Sequence, residues 1–311
     1  MTPDGRTPVV VVTGFLGSGK TTLVNALLRK QSDSLVIVNE FGEVPVDHAL
    51  VENSVEKAIA LPNGCLCCHL RGDLEETLIG AAMRRRRGDI AGFDRVIVET
   101  SGLADPGPVA QTLYADQALA RDFKLGPIVT VVDAFDLQSR KISADIARAQ
   151  IAAADVVVLS KVDRANDSGA AEAEVRALNP GVPCIRAEFG EVDPLAILEA
   201  KPGTDPVFAA AAHDSRIRSF ALRFEQPVRR ELLQRFLATL VELRGADLLR
   251  VKGIVPTEDG MVLVQGVRHV FDRLRPVDRG EPALVFITHA VDKSEVQALW
   301  DAMNGLSCKA L

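Results

Sequence analysis

The sequence predicts an α/β fold, a doubly wound and mainly parallel sheet followed by a smaller C-terminal α+β domain. Three observations carry this expectation. Over the first 200 residues short apolar runs alternate with helix-length segments, the rhythm of strands joined by crossover helices. The first run, Pro8-Val9-Val10-Val11-Val12-Thr13, is largely β-branched, as suits a strand buried on both faces, and leads directly into a glycine loop. From about residue 202 the pattern changes to alternating strands and two long helical segments.

The strand at 8–13 runs into Gly14-Phe15-Leu16-Gly17-Ser18-Gly19-Lys20-Thr21, which spells G-x-x-x-x-G-K-[ST], the phosphate-binding loop of nucleoside triphosphatases. Gly14, Gly17 and Gly19 let the backbone curl so that successive N–H groups point at phosphate oxygens. Lys20 neutralises the β- and γ-phosphates, the Thr21 hydroxyl ligates Mg²⁺, and Ser18 and Thr22 complete the nucleotide-binding set. A helix follows over 20–28, so strand, loop and helix form the setting that a P-loop requires.

The second strand, 34–39, leads into Asn39-Glu40-Phe41-Gly42-Glu43-Val44-Pro45-Val46-Asp47-His48, whose three carboxylates suit a switch loop near the nucleotide. Next, Asn63-Gly64-Cys65-Leu66-Cys67-Cys68-His69 gathers three thiols. Thiolates are soft ligands for Zn²⁺, Cu(I) or Co²⁺, and the glycine permits a tight loop that converges them. Three sulfurs leave one tetrahedral position for Glu40, His69 or an exchangeable water, and C-x-C-C is not the C-x-x-C of a redox dithiol. A helix from Asp73-Leu74-Glu75-Glu76 to Arg84-Arg85-Arg86-Arg87 has acid at its start and base at its end, which suits the helix dipole better than a nucleic-acid patch.

The strand at 95–99 ends in Glu99-Thr100-Ser101-Gly102, with Glu99 placed to hold Mg²⁺ through water and the Gly102 N–H placed to sense the γ-phosphate. Strands follow at 127–133, 155–160 and 183–187. The second of these ends in Ser160-Lys161-Val162-Asp163, in the place of an N/T-K-x-D guanine reader. The Asp163 carboxylate accepts from both the ring N–H and the exocyclic amine of guanine, and the Lys161 stem lies along the base, so GTP is expected over ATP. Serine at 160 is shorter than asparagine, and its bracing hydrogen bonds are expected to be weaker.

At 311 residues and 47% hydrophobic the chain is long enough for two cored domains. Domain boundaries are expected at 1–201, a linker at 202–215 beginning Pro202-Gly203-Thr204-Asp205-Pro206, and 216–311. Strands are expected at 217–224, 248–255, 261–271 and 283–288 and helices at 228–244 and 293–303, with Trp300 in the core. The net charge of −6 gives no general attraction to nucleic acid or anionic lipid. The first eight residues lack the apolar segment of a secretory signal, and no apolar run approaches the roughly 20 residues that span a bilayer. A cytoplasmic protein is expected. Five cysteines, three of them within four residues, fit metal chemistry in a reducing compartment better than a disulfide framework. Homo-oligomerisation is left open.

The P-loop, Asn39-Glu40-Phe41-Gly42-Glu43, Gly64-Cys65-Leu66-Cys67-Cys68, Glu99-Thr100-Ser101-Gly102-Leu103-Ala104-Asp105-Pro106 and Ser160-Lys161-Val162-Asp163 together resemble the CobW-type metallochaperone GTPases. The likeness continues through Leu248-Leu249-Arg250-Val251-Lys252-Gly253 and Val264-Gln265-Gly266-Val267, so it covers nearly the whole chain. It implies GTP hydrolysis coupled to delivery of Zn²⁺, or in some members Co²⁺, to a client protein. By that likeness Glu40, Cys67 and Cys68 are the metal-ligand positions, with Cys65 next. The chain departs from the family at Ser160 and Pro45, and it lacks a histidine-rich tract near the domain junction, where His213 stands alone. Hydrolysis is expected to be slow, because Leu103 follows Gly102 where Ras-like enzymes place a water-positioning glutamine. Glu43 and Asp47 are the carboxylates available to orient the water. Two rivals are a GTP-binding metal or redox sensor that delivers nothing, and an ATP-using P-loop kinase of a small metabolite.

Overall fold

The computed structural model describes residues 5–30, 33–38, 58–60, 69–116, 118–138, 144–165, 167–188, 191–198 and 216–309. The chain divides into two units, Met1–Val175 with Val182–Gly203, and Arg176–Gly181 with Thr204–Leu311.

In the first unit the β-branched run forms β1 (Thr7–Thr13), with Val9 to Val12 all 2% exposed or less, because a central strand covered on both faces needs apolar side chains at every position. The other strands are β2 (Ser34–Val38), β3 (Ala58–Ala60), β4 (Arg95–Glu99), β5 (Phe123–Asp133), β6 (Val156–Ser160) and β7 (Cys184–Arg186). They pair in the order β3-β2-β4-β1-β5-β6-β7, every pairing parallel. The helices are α1 (Lys20–Lys30), α2 (His69–Arg87), α3 (Gly107–Ala115), α4 (Leu119–Asp122), α5 (Ala134–Gln138), α6 (Ala144–Ala153), α7 (Ser168–Leu178) and α8 (Pro194–Leu198). With β1 between β4 and β5 and all strands parallel, the segments after β1, β4, β5 and β6 leave from one edge, the carboxyl edge where ligands of such sheets collect.

Three elements differ from the sequence expectation. The short strand β3 is an addition to it, β5 begins four residues before the expected 127, and α2 begins at His69, directly after the cysteine loop. The basic end of α2 is also only partly solvated. Arg85 donates to Thr7 Oγ1 at 3.0 Å and to the Phe93 carbonyl at 3.2 Å, with its guanidinium 4.6 Å from the Phe93 ring centroid, while Arg86 pairs with Asp122. Arg85 thus fastens the helix end to β1 of the sheet, and Arg86 ties it to α4.

The second unit holds β8 (Ile217–Arg223), α9 (Arg230–Arg244), β9 (Leu248–Thr257), β10 (Gly260–Val267), β11 (Val270–Phe271), β12 (Arg275–Pro276), β13 (Ala283–His289) and α10 (Lys293–Lys309). Its antiparallel sheet runs β11-β10-β9-β13-β8, with β12 beside β10. The expected strand at 261–271 is instead a hairpin: Arg268 takes φ 54°, the chain reverses, and Val270 pairs back onto Val267. Leu232, Leu233, Phe236, Leu237 and Leu240 form the buried stripe of α9, and Trp300 of α10 meets Phe224 and Phe236 edge-on at 5.3 and 5.1 Å. The glycines of the two C-terminal motifs serve packing. A Cβ at Gly253 would sit 2.0 Å from the Ala283 carbonyl oxygen, and one at Gly266 would sit 2.5 Å from the Phe271 ring.

At the start of α10 the Asp292 N–H donates to Glu295 Oε1 at 3.2 Å and Arg244 donates to Glu295 Oε2 at 2.8 Å. The Asp292 N–H first and Arg244 second hold the Glu295 carboxyl below its ordinary 4.5. A carboxyl with a depressed folded pKa contributes stability that is present above the unfolded value and lost as pH falls through the folded one. Thermal unfolding of Glu295→Gln is therefore expected to show a flatter pH dependence than wild type below pH 4.5, and superimposable slopes would remove this cap as a contributor.

Candidate functional site

The chain leaves β1 through glycines in conformations that other residues avoid, with φ of 142° at Gly14, 73° at Gly17 and 98° at Gly19. A Cβ at Gly14 would lie 2.2 Å from the Val131 carbonyl oxygen, so the loop lies directly on β5. The Ser18 N–H donates to the Phe15 carbonyl at 3.2 Å, and Leu23 N–H to Gly19 O at 3.0 Å starts the hydrogen bonding of α1. Lys20 Nζ donates back to the Phe15 carbonyl at 3.1 Å and so lies over the loop. This curl, with its helix N-terminus and lysine, is a cradle for an anion.

Thr21 and Glu99 come from different elements and meet: Thr21 Oγ1 donates to Glu99 Oε1 at 2.8 Å, and Glu99 is only 5% exposed. The pairing of Val12 with Glu99 across β1 and β4 sets this distance, and two further bonds hold it. Thr100 N–H donates to the Val12 carbonyl at 2.9 Å and Thr100 Oγ1 to Thr13 Oγ1 at 2.9 Å. A hydroxyl and a carboxylate converging beside a phosphate cradle are hard oxygen donors, the set that fits Mg²⁺.

Beyond Glu99 the chain turns tightly, Ala104 N–H donating to Ser101 O at 3.0 Å. This turn packs on the P-loop so closely that a Cβ on Gly102 would come within 2.6 Å of the Leu16 nitrogen. Gln150 of α6, 1% exposed, donates its side-chain amide to the carbonyls of Gly102 at 3.2 Å and Ala104 at 2.9 Å.

On the opposite flank Ser160 Oγ donates to the Ser18 carbonyl at 2.6 Å and lies 3.3 Å from the Val132 carbonyl, so the serine reaches the loop despite its length. Lys161, held at φ 53°, donates from Nζ to Gly17 O at 2.8 Å and to Asp133 Oδ2 at 2.5 Å. The other oxygen of Asp133 accepts from the N–H groups of Phe135 and Asp136 at 3.0 and 3.1 Å and caps α5. Asp163 is exposed and lines a cavity of about 170 Å³ with Gly19, Thr22, Lys161 and Ala187.

Of the expected site residues, Gly14, Gly17, Ser18, Gly19, Lys20, Thr21, Thr22, Glu99, Gly102, Lys161 and Asp163 all lie on the P-loop, α1, the last residue of β4 or the loops after β4 and β6. Glu40, Cys65, Cys67 and Cys68 lie outside the described residues, as do the switch loop at 39–48, the linker at 202–215 and His213. Sequence reasoning passed over Asp133, Gln150 and Ala187. Asp133 had a signal, a lone acid ending an apolar strand, whereas Gln150 had none in a helix of ordinary composition.

The comparisons with known proteins fit this geometry. Residues 8–186 match the model of the CobW/HypB/UreG nucleotide-binding domain and residues 217–304 that of the cobalamin synthesis protein CobW C-terminal domain. The chain is 32% identical to the zinc chaperone YjiA of Escherichia coli over 95% of its own length and 98% of the relative's. It is 30% identical to the zinc chaperone CobW of Pseudomonas aeruginosa over 86% and 82% of the two chains. The crystal structure of Zn(II)-bound YjiA GTPase from E. coli superposes with a TM-score of 0.72 at 26% identity, covering 96% of this chain and 99% of that one. A P-loop, a buried carboxylate on its threonine, and both matched domains place this chain in the CobW/HypB/UreG family.

Proposed function

We propose that this protein is a GTP-hydrolysing metallochaperone that takes Zn²⁺, or Co²⁺, as cargo at the Cys65-Leu66-Cys67-Cys68 loop and passes it to a metal-requiring client protein. The observation that carries the nucleotide half is the Thr21–Glu99 pair at 2.8 Å, which joins the P-loop to the end of β4, with a cavity lined by Asp163 on the opposite flank of the loop. The cargo half rests on the three thiols and on the relatives named as zinc chaperones. In this reading the P-loop N–H groups and Lys20 bind the phosphates, and Thr21 and Glu99 hold Mg²⁺, which supplies charge neutralisation on phosphate oxygens. Asp163 accepts from the guanine edge, Lys161 lies along the base, and the Gly102 N–H faces the γ-phosphate. Glu40 and the cysteines hold the cargo, and slow hydrolysis alters that ligand set through the loop at 39–48. The proposal includes a division of the chain at the 202–215 linker and a cytoplasmic location. No described helix is long and apolar enough to cross a membrane.

The test is an anaerobic Zn²⁺ and Co²⁺ competition titration of reduced protein in the free, GDP-Mg and non-hydrolysable GTP-Mg forms, with a Cys67→Ala/Cys68→Ala control. Affinity is expected to differ by roughly 5-fold to 150-fold between the GTP and GDP forms, the usual range of coupling between two sites, and to disappear in the control. Equal affinity in all three forms means that nucleotide does not drive release, and a sensor or structural metal then replaces delivery.

A further inference from the structure

Gln150 is a buried amide with a specific set of partners, and the reading above gives it no role. It sits near the end of α6, where its own carbonyl accepts from Thr130 Oγ1 of β5 at 2.9 Å, so its backbone is fixed to the central sheet. Its side-chain nitrogen has two hydrogens, and both are used on one turn, at the Gly102 and Ala104 carbonyls. Those carbonyls flank Leu103, and the first belongs to the residue whose N–H faces the γ-phosphate position. A buried residue spending both amide donors on this turn fixes the Gly102–Leu103 peptide plane, next to the Ser101–Gly102 plane that carries the Gly102 N–H.

The remaining atom strengthens the case. Gln150 Oε1 and Ser18 Oγ are buried and have no hydrogen-bond partner among the described residues, and both residues line a cavity of about 10 Å³. That volume is at the lower bound for one water. The amide nitrogen is held on the turn, and the amide oxygen lines the same small cavity as Ser18 of the P-loop. Orphaned polar atoms at a residue with only a packing role are costly, and an apolar side chain of the same length avoids the cost.

We propose that Gln150 is a positioning residue for GTP hydrolysis, holding the Gly102–Ala104 turn so that the protein distinguishes a nucleotide with a γ-phosphate from one without. This rests on the GTPase reading. Gln150→Met keeps length and apolar volume and removes both donors. It is expected to lower kcat for GTP by about 10-fold, and to lower the ratio of non-hydrolysable GTP affinity to GDP affinity by a similar factor, the worth of roughly one hydrogen bond. GDP affinity stays within about two-fold, because the diphosphate does not reach the turn. Gln150→Glu, of equal size with acceptors in place of donors, is measured alongside in case the methionine variant does not fold. Thr288→Val removes a buried hydroxyl bond to the Val291 carbonyl in the second unit and is expected to lower the melting temperature while leaving the affinity ratio unchanged. An unchanged ratio and kcat in both Gln150 variants, equal losses for GDP and GTP, or the same loss in Thr288→Val overturns the inference. Wild-type protein that does not bind or hydrolyse GTP overturns the GTPase reading itself, whereas wild-type turnover with unaltered variants overturns this inference alone.

Discussion

Replacing Glu99 by glutamine is expected to lower GTP turnover by about 10²-fold or more at saturating nucleotide while leaving the melting temperature of the nucleotide-free protein nearly unchanged. The two halves of that expectation come from the same geometry. In the free protein Glu99 Oε1 accepts from Thr21 Oγ1 at 2.8 Å, and a glutamine oxygen in that place still accepts, though more weakly than a carboxylate, so the tie between α1 and β4 survives. What the substitution removes is the negative charge that we propose holds Mg²⁺, on a side chain kept at 5% exposure, where its field is only partly screened by water. Glu99→Asp keeps the charge but draws it back by one methylene, and it is expected to raise the Mg²⁺ concentration for half-maximal turnover more than it lowers the maximum. Turnover measured against Mg²⁺ concentration separates the two variants. If Glu99→Gln has the wild-type Mg²⁺ dependence, Glu99 is not the metal-holding acid.

Where the chemistry depends on order along the chain, the residues themselves make it legible. The glycine loop follows β1 and an apolar run ends at Glu99 of β4, so each proposed role falls on one residue type at one strand end. Where the chemistry depends on what the fold brings alongside, residue order carries no sign of it. Asp133 anchors Lys161 from a neighbouring strand, and Gln150 reaches the Gly102 turn across 48 residues of chain. The strand errors have local causes. Gly126-Pro127 reads as a break, yet β5 carries both residues through a register shift opposite Val9 to Val11, a bulge where the missing proline N–H costs no ladder bond. The three residues of β3 are too short to show a period and are strand only through pairing with β2. Arg268 breaks the expected strand at 261–271 with a left-handed conformation that nothing in its residue type announces. The cysteine loop is the reverse case: Cys65-Leu66-Cys67-Cys68 stands out in the residues themselves, while the loop and Glu40 lie outside the described residues.

The second large effect is expected at Gly14, and its size follows from comparing three glycines. At Gly17 an added Cβ meets nothing within 4 Å, so alanine there carries only the conformational cost of φ 73°, about 1 kcal/mol. At Gly102 the backbone is ordinary but the space is not, since a Cβ would fall 2.6 Å from the Leu16 nitrogen and 2.8 Å from its Cα. Backbone cannot rotate away as a side-chain end does, so Gly102→Ala pushes the P-loop and the turn after β4 apart. Gly14 combines both costs, with φ 142° and a Cβ 2.2 Å from the Val131 carbonyl oxygen. That oxygen belongs to the interior of β5, so relief requires lifting the whole loop off the sheet. Strain and overpacking together give about 3 kcal/mol or more of lost stability for Gly14→Ala. Nucleotide affinity is expected to fall by at least about 10²-fold, because the lifted N–H groups no longer converge on the phosphates. The expected order of nucleotide affinity is Gly17→Ala above Gly102→Ala above Gly14→Ala, read by fluorescent-GDP titration beside thermal melts. A Gly14→Ala variant that binds GDP as tightly as Gly17→Ala would show that the loop sits clear of β5 when nucleotide is bound, and that its contact with Val131 belongs to the free protein alone.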